Sequence, residues 1–158
     1  MRQQVKRQEV KAVVDAMQVM VVDQPVLVPM SAVAEVVRSA TVVHRPDDPQ
    51  WLHGWLQWRE LEIPLVAYES LSGGEKGGLG ESVNAVVINT LGRAKGMEFY
   101  AFLLSDLPRP ARISEADNLQ QIEGRVAGHY QSMKVNLENT TLTIPDLPEL
   151  ERFLVASL

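Results

Sequence analysis

The 158-residue chain carries a formal net charge of −5, is 46% hydrophobic and 22% charged, and contains no cysteine. These values argue against a largely disordered chain, supply no general attraction to phosphate backbones or anionic lipid, and exclude disulfides, thiolate zinc sites and a cysteine nucleophile. The length suits one ordinary domain or two small lobes sharing a core, with nucleic acid not an expected partner.

Residues 1 to about 14 read as a frayed, basic, Gln-rich arm with Arg2, Lys6, Arg7 and Lys11, or alternatively as a short helix. The apolar Ala12 to Val22 that follows could imitate a signal segment, but Asp15 and Gln18 interrupt it and a strand reading is expected instead. No stretch approaches the ~20 uninterrupted apolar residues of a membrane helix, so no membrane insertion is expected. Met17 to Val22 and Val26 to Pro29 predict two strands joined by a turn at Asp23-Gln24-Pro25. Ser31 can cap a short helix with Val33, Val36 and Val37 on one face and Glu35 and Arg38 pointing away.

Thr41 to Val43 is a short β-branched run, and His44 to Gln50 reads as a proline-broken loop. Trp51 and Leu52 begin a turn that Gly54 ends, after which Trp55 to Arg59 and Leu61 to Ala67 predict a second pair of extended segments. Pro64 cannot donate to a ladder, so its strand is expected at a sheet edge or bulge. Ser72 to Ser82, with five glycines, reads as a flexible loop. Val83 to Leu91 and Met97 to Leu104 predict a hairpin across Gly92 to Gly96, with Met97, Phe99, Ala101 and Leu103 on one face. Pro108 and Pro110 are expected to stop regular structure, and Ile113 to Gln121 to form a loop or short helix. Val126 to Gly128, Met133 to Leu137 and Thr140 to Ile144 predict strands, the last two separated by a turn at Glu138-Asn139. A closing helix is capped by Asp146, takes Pro148 in its first turn and places Leu150, Phe153 and Leu154 on one face. The many short strands, with few short helices, predict a mostly β fold of small-barrel or sandwich type.

Reaction chemistry finds little support. Lys76 is followed by Gly77 and Gly78 rather than by Ser or Thr, and Val83 stands where a dinucleotide fingerprint needs glycine, so the Gly-rich loop reads as a linker. His44, His53 and His129 lack metal-ligand spacing, and His53 beside Asp47 and Asp48 has no nucleophile in an elbow-like turn. Glu60 and Glu62 share one strand face, either as an acid–base pair or as an ordinary solvated face. The tryptophans say more. Trp55 and Trp58 face opposite sides of a strand, and Trp58-Arg59 joins the two residue types most enriched at binding hot spots; two core aromatics and a solvated arginine is the plainer account.

Two stretches resemble a known family. Val28-Pro29-Met30-Ser31-Ala32-Val33-Ala34-Glu35-Val36-Val37 looks like the CheW-type pattern in which a strand ending in an apolar-Pro pair leads into a short helix. Pro46 to Leu65, through Trp58-Arg59-Glu60 to Pro64-Leu65, is similar to its Gly-x-x-Asn-x-Arg-Gly-x-x-x-Pro-hydrophobic signature. Glu60 stands in place of the glycine, Gln57 in place of the asparagine, and Ala67-Tyr68 in place of Asp-Leu. The likeness covers about Met17 to Leu154, and after Leu71 it is carried by strand layout, with Tyr100 to Ser105 in place of the usual Gly-Ile/Leu-x-Val-Asp run.

The resemblance implies two SH3-like five-stranded β-barrel subdomains with a few short helices. Residues 15–158 would form one such domain, its lobes divided near 72–82 with terminal strands open to exchange. It further implies a cytoplasmic, non-catalytic adaptor without cofactor or metal. Such an adaptor couples a methyl-accepting chemoreceptor to a CheA-type histidine kinase. Val33 and Glu35 would be groove positions, and Trp58, Arg59 and Glu60 would complete the protein-binding set, with Arg59 facing the receptor. Glu60 beside Arg59 suggests an auxiliary adaptor resembling ChpC of pilus-linked chemosensory systems. The alternatives are a β-barrel module unrelated to kinase signalling, or an enzyme dependent on Glu60, Glu62 or His53.

Overall fold

Two sheets divide the chain, one built from consecutive strands and the other from strands on both sides of them. The computed structural model describes residues 13–21, 25–68, 82–91, 96–114, 120–121, 131–137 and 139–158. The chain opens with strands β1 (Val13–Met20) and β2 (Pro25–Pro29), an antiparallel hairpin in which Met20 pairs with Pro25. A 3-10 turn at Met30–Ala32 leads into β3 (Val33–Val43), β4 (Leu52–Trp58) and β5 (Leu61–Val66), followed by β6 (Ser82–Asn89) and β7 (Phe99–Leu104). These five strands close a barrel in the order β3-β4-β5-β7-β6. The rest of the chain supplies β8 (Arg109–Ser114), β9 (Gln120–Gln121), β10 (Gln131–Leu137), β11 (Thr140–Pro145) and helix α1 (Leu147–Ser157). They return to the opening hairpin and build a six-stranded sheet in the order β8-β1-β2-β11-β10-β9.

The fold is thus mostly β with two subdomains, one a closed five-stranded barrel and the other a half-barrel sheet. The strands flanking the glycine-rich stretch, β5 and β6, both belong to the closed barrel, so the lobes do not part at 72–82. They part between β2 and β3, and again between β7 and β8. Residues 69–81 and 1–12 lie outside the described residues, and β1 already begins at Val13.

Three apolar clusters hold these sheets. One fills the closed barrel, with Leu56, Trp58, Ile63, Leu65, Ala85, Val87, Ala101 and Leu103. A second lies in the open sheet around Ala16, Leu27, Ile113, Val135 and Leu142. The third joins the lobes: Val19, Val26 and Val28 of the opening hairpin meet Val86, Ile88, Tyr100 and Phe102, with Leu147, Leu150 and Leu154 of α1 against them. β6 and β7 therefore bury both faces, which is why their sequences are almost continuously apolar rather than alternating. On β7 the face of Phe99, Ala101 and Leu103 turns into the barrel as expected, whereas Met97 precedes the strand and packs on the inter-lobe cluster.

Several expectations need correction. The segment from Val33 onward is a strand, not a helix, and Ser31 lies in the preceding 3-10 turn. Five of its eleven residues are valine, and β-branched side chains favour the pleated surface over a helix. The apparent helical face arose because β3 is bulged between Val33 and Glu35 and again between Val37 and Ala40. At the second bulge Ser39 takes a left-handed φ of 50°, its N–H donating to Asn84 Oδ1 at 3.1 Å. Gly54 does not end a turn but sits inside β4, where β3 passes so closely that a Cβ would lie 2.9 Å from Val43 O and 2.4 Å from Val42 Cγ1. Pro110 is within β8, opposite Met17, and is tolerated because β8 is an outermost strand among the described residues. Ile113 and Ser114 belong to the same strand, while 115–119 and the expected strand at 126–128 lie outside the described residues.

The closing helix forms as its sequence dictates. Asp146 accepts the Glu149 N–H at 3.1 Å, Pro148 occupies the first turn, Leu150 and Leu154 are buried, and Phe153 meets Trp51 edge-on at 5.1 Å. Less expected is Glu151, a carboxylate 1% exposed on the same helix. It accepts the Leu91 N–H at 2.8 Å and the Tyr100 hydroxyl at 3.2 Å, tying α1 to the β6–β7 hairpin. Burial first, and then the Glu151 carboxylate, raise the Tyr100 phenol far above its ordinary value of 10.0.

Two outcomes follow for stability. Gly54→Ala should destabilise the protein by about 1–3 kcal/mol, the range for forced repacking in a tight core, seen as a lower urea midpoint; an unchanged midpoint would show that β3 gives way freely. The folded protein keeps the Tyr100 proton at pH values where the unfolded chain has lost it, so that stabilisation is complete below pH ~10 and fades above it. The decline should reach about 1.4 kcal/mol per pH unit, and Tyr100→Phe should show a shallower alkaline loss in urea titrations despite lower stability at neutral pH.

Candidate functional site

The hairpin of β4 and β5 turns through two residues only. Trp58 pairs with Leu61, and between them Arg59 and Glu60 have φ of 45° and 60°. Both central residues in the left-handed region is the signature of a type I′ turn, whose twist matches that of the strands it joins. Asn-Gly or Asp-Gly normally fills such a turn; here a bulky arginine and glutamate occupy it, held by the pairing on either side. The turn thrusts Arg59 out of the barrel end.

Beneath it, Trp58 points inward and is 7% exposed. Its ring packs edge-on against Phe99 at 4.8 Å. A buried indole needs an acceptor for its N–H, and Glu35 supplies it: Trp58 Nε1 donates to Glu35 Oε2 at 2.7 Å. Glu35 can reach because the bulge after Val33 breaks the alternation of β3. Ala34 and Val37 pack into the barrel while Val33 and Val36 pack on the inter-lobe cluster. The same carboxylate oxygen lies 3.3 Å from Arg59 Nη2, and the guanidinium stands 4.7 Å over the Trp58 ring.

Glu35, Trp58 and Arg59, separate in sequence, are thereby one contact cluster. The ion pair is largely exposed, so its own stabilisation is about 0.2–1 kcal/mol, and the cation–π contact adds a comparable amount. Neither holds the fold. What they do is set where a cation stands, on an aromatic platform at the barrel rim. Of the other expected positions, Val33 is half-buried on the inter-lobe cluster, away from this carboxylate. Glu60 lies in the turn itself, and among the described residues Arg59 pairs with Glu35 rather than with it.

A second arginine–tryptophan stack was not foreseen. Trp55, on the opposite face of β4, is half-buried, with Arg45 4.1 Å over its ring and its Nε1 donating to Asp48 Oδ1 at 3.2 Å. Arg45 also bonds Glu62, which accepts from Gln57 Nε2 at 3.1 Å. Arg45 was not legible in the sequence, because it sits in a proline-broken loop whose return path only the fold reveals. His53 is buried and meets His44 edge-on at 5.6 Å, a packing contact in the barrel wall. No group of three or more metal-ligating side chains converges among the described residues.

A barrel closed by these strands, a half-barrel sheet built from the chain's two ends, and the arginine-bearing β4–β5 turn coincide with a family match: the CheW-like domain matches residues 15–152. The chain belongs to the CheW-like domain family. Among solved structures, the scaffolding protein TtCheW from Thermoanaerobacter tengcongensis superposes with a TM-score of 0.66 over 85% of this chain and 89% of that one. Identity between the two is 14%, so the likeness is one of fold. No curated protein matches the sequence. No helix among the described residues is long and apolar enough to cross a membrane.

Glu60 stands where the CheW-type signature has glycine, in a backbone conformation that costs an L-residue roughly 1–2 kcal/mol, partly offset by the greater chain entropy glycine loses on folding. Glu60→Gly should therefore raise stability by about 0.5–1 kcal/mol and leave the Arg59–Trp58–Glu35 contacts in place, as measured by thermal unfolding and by tryptophan fluorescence.

Proposed function

We propose that this chain is a non-catalytic adaptor that couples the cytoplasmic tip of a chemoreceptor to a CheA-type histidine kinase. The observation that carries it is the CheW-like match over 15–152 combined with a fixed cation at the rim: Arg59, lifted by a two-residue turn and set over Trp58 by Glu35. Arginine and tryptophan side by side, with the tryptophan desolvated and the arginine exposed, are the composition of a binding hot spot.

In this role Arg59 is the receptor-facing residue. Glu35 and Trp58 position it, Val33 supplies apolar support beside the junction of the lobes, and Glu60 sets the charge next to it. The glutamate in place of glycine changes the local field that a receptor meets, which favours an auxiliary adaptor of the ChpC kind in a pilus-linked system over a general one. Binding would take place in the cytoplasm, where receptor tips and kinase are found.

The test is a pull-down of a CheA-type kinase and a receptor signalling fragment. Arg59→Ala should keep the far-ultraviolet spectrum and the unfolding midpoint within about 0.5 kcal/mol, as exposed substitutions do, yet reduce receptor-dependent kinase recruitment by about tenfold, the cost of a typical hot-spot truncation. Unchanged recruitment would remove Arg59 from the interface; no complex with either partner would turn the chain into a barrel module outside kinase signalling.

A further inference from the structure

Glu60, at the tip of the β4–β5 hairpin, is a carboxylate without a partner among the described residues. The carboxylates around it are engaged. Glu35 accepts the Trp58 indole N–H at 2.7 Å and lies 3.3 Å from Arg59, Glu62 meets Arg45 and accepts from Gln57, and Asp48 accepts the Trp55 indole N–H. Glu60 is exposed and forms no ion pair; Arg59 pairs with Glu35 instead, and Arg38 on the adjoining β3 is not paired with it either.

Its backbone makes that free carboxylate notable. A φ of 60° disfavours any side chain, and the turn itself needs nothing more than glycine there. The carboxylate returns no contact to the chain, and a strained residue that the fold does not use points to recognition. Arg59 on one side and Leu61, 44% exposed, on the other put a guanidinium, a carboxylate and an apolar side chain in a row. The guanidinium is already held by Glu35 and lies over Trp58. A carboxylate brought to Arg59 must therefore compete with Glu35 and stand beside Glu60, whose charge repels it. A lysine or arginine brought to Glu60 displaces no cation of the described residues.

We infer that Glu60 is the specificity-determining contact of this turn: the receptor segment seated on it carries a lysine or arginine that pairs with the Glu60 carboxylate, and a segment presenting a carboxylate at that point is turned away. The inference rests on the receptor-facing role of the Arg59 turn and adds the charge of what binds there. One partner meets Arg59 and Glu60 together. A glycine at this position would leave the turn in place and remove the selection.

The experiment is calorimetric titration of the full chain with the receptor signalling fragment, run beside thermal unfolding. Glu60→Gln should weaken binding by about fivefold, the scale of an exposed charge contact, and Glu60→Lys should weaken it further through repulsion. Raising the ionic strength should narrow the gap between wild type and Glu60→Gln. Glu60→Gly should bind as weakly as Glu60→Gln while unfolding at a higher temperature, opposite signs that a glutamate of purely structural value would not give. Changing one exposed lysine or arginine of the fragment to glutamate should restore its affinity for Glu60→Lys and lower it for wild type. Wild-type affinity in Glu60→Gln and Glu60→Gly, or no basic residue of the fragment whose reversal rescues Glu60→Lys, would overturn the inference. Arg59→Ala reads the underlying role separately. Weaker binding in Arg59→Ala with indifference at Glu60 leaves the receptor-facing turn standing and overturns the charge selection alone; rescue by charge reversal with Arg59→Ala unaffected upholds Glu60 and removes Arg59. A wild-type chain that binds no fragment overturns both.

Discussion

Burial of β6 and β7 on both faces is the constraint from which the rest of the structure follows. One face of the pair, with Ala85, Val87, Ala101 and Leu103, fills the closed barrel; the other, with Val86, Ile88, Tyr100 and Phe102, is covered by the opening hairpin and by α1. At roughly 25 cal/mol per Å² of apolar surface, two strands that expose neither face contribute more than any polar contact in the molecule. They also make the lobes one unit, because the barrel cannot separate from the half-barrel sheet without baring an entire strand face. The buried Glu151 has its place here: its bonds to Leu91 and Tyr100 fix the register of α1 on that shared core.

Against this rigid centre, the functional residues lie where strands end. The β4–β5 turn is the clearest case. Its two left-handed residues carry a backbone cost that regular pairing on both sides sustains, and strain of that kind is held at recognition sites by over-determined surroundings. Trp58 is the hinge of the arrangement, since its ring belongs to the barrel core while its N–H and its face belong to Glu35 and Arg59. Core packing and surface charge are thus linked through a single side chain.

The hairpin presents two arginine–tryptophan stacks facing different directions, one at the rim through Arg59 and one through Arg45 on the wall. In the first the arginine stands free to meet a partner apart from its contact with Glu35. In the second the guanidinium meets Trp55 and Glu62 while Asp48 accepts from the Arg45 backbone N–H and the Trp55 indole, contacts that brace the loop 44–51 against the barrel. Similar residue types therefore do different work, decided by where the backbone places each guanidinium, since each meets one carboxylate and one indole.

Composition and pattern were enough to establish a mostly β chain, the hairpin around 20–25, the pair of extended segments that meet near Glu60, the capped closing helix, and a family likeness centred on Trp58-Arg59, whereas the turn at Arg59 and Glu60 came only with the fold. Those features depend on local periodicity, capping and turn punctuation, which a chain displays residue by residue. Three further things were decided only by tertiary structure. The Val33–Val43 segment became a bulged strand because pairing with β4 and β6 outweighed a weak helical period. Gly54 proved to be a point of close strand approach, because no local signal records which distant backbone passes by. Glu35 met Trp58 and Arg59 across 23 and 24 residues of sequence because a bulge rotated it into the barrel mouth. Bulges and strand crossings arise from how separate segments close a barrel, and that information is distributed over the whole chain rather than written at any one position.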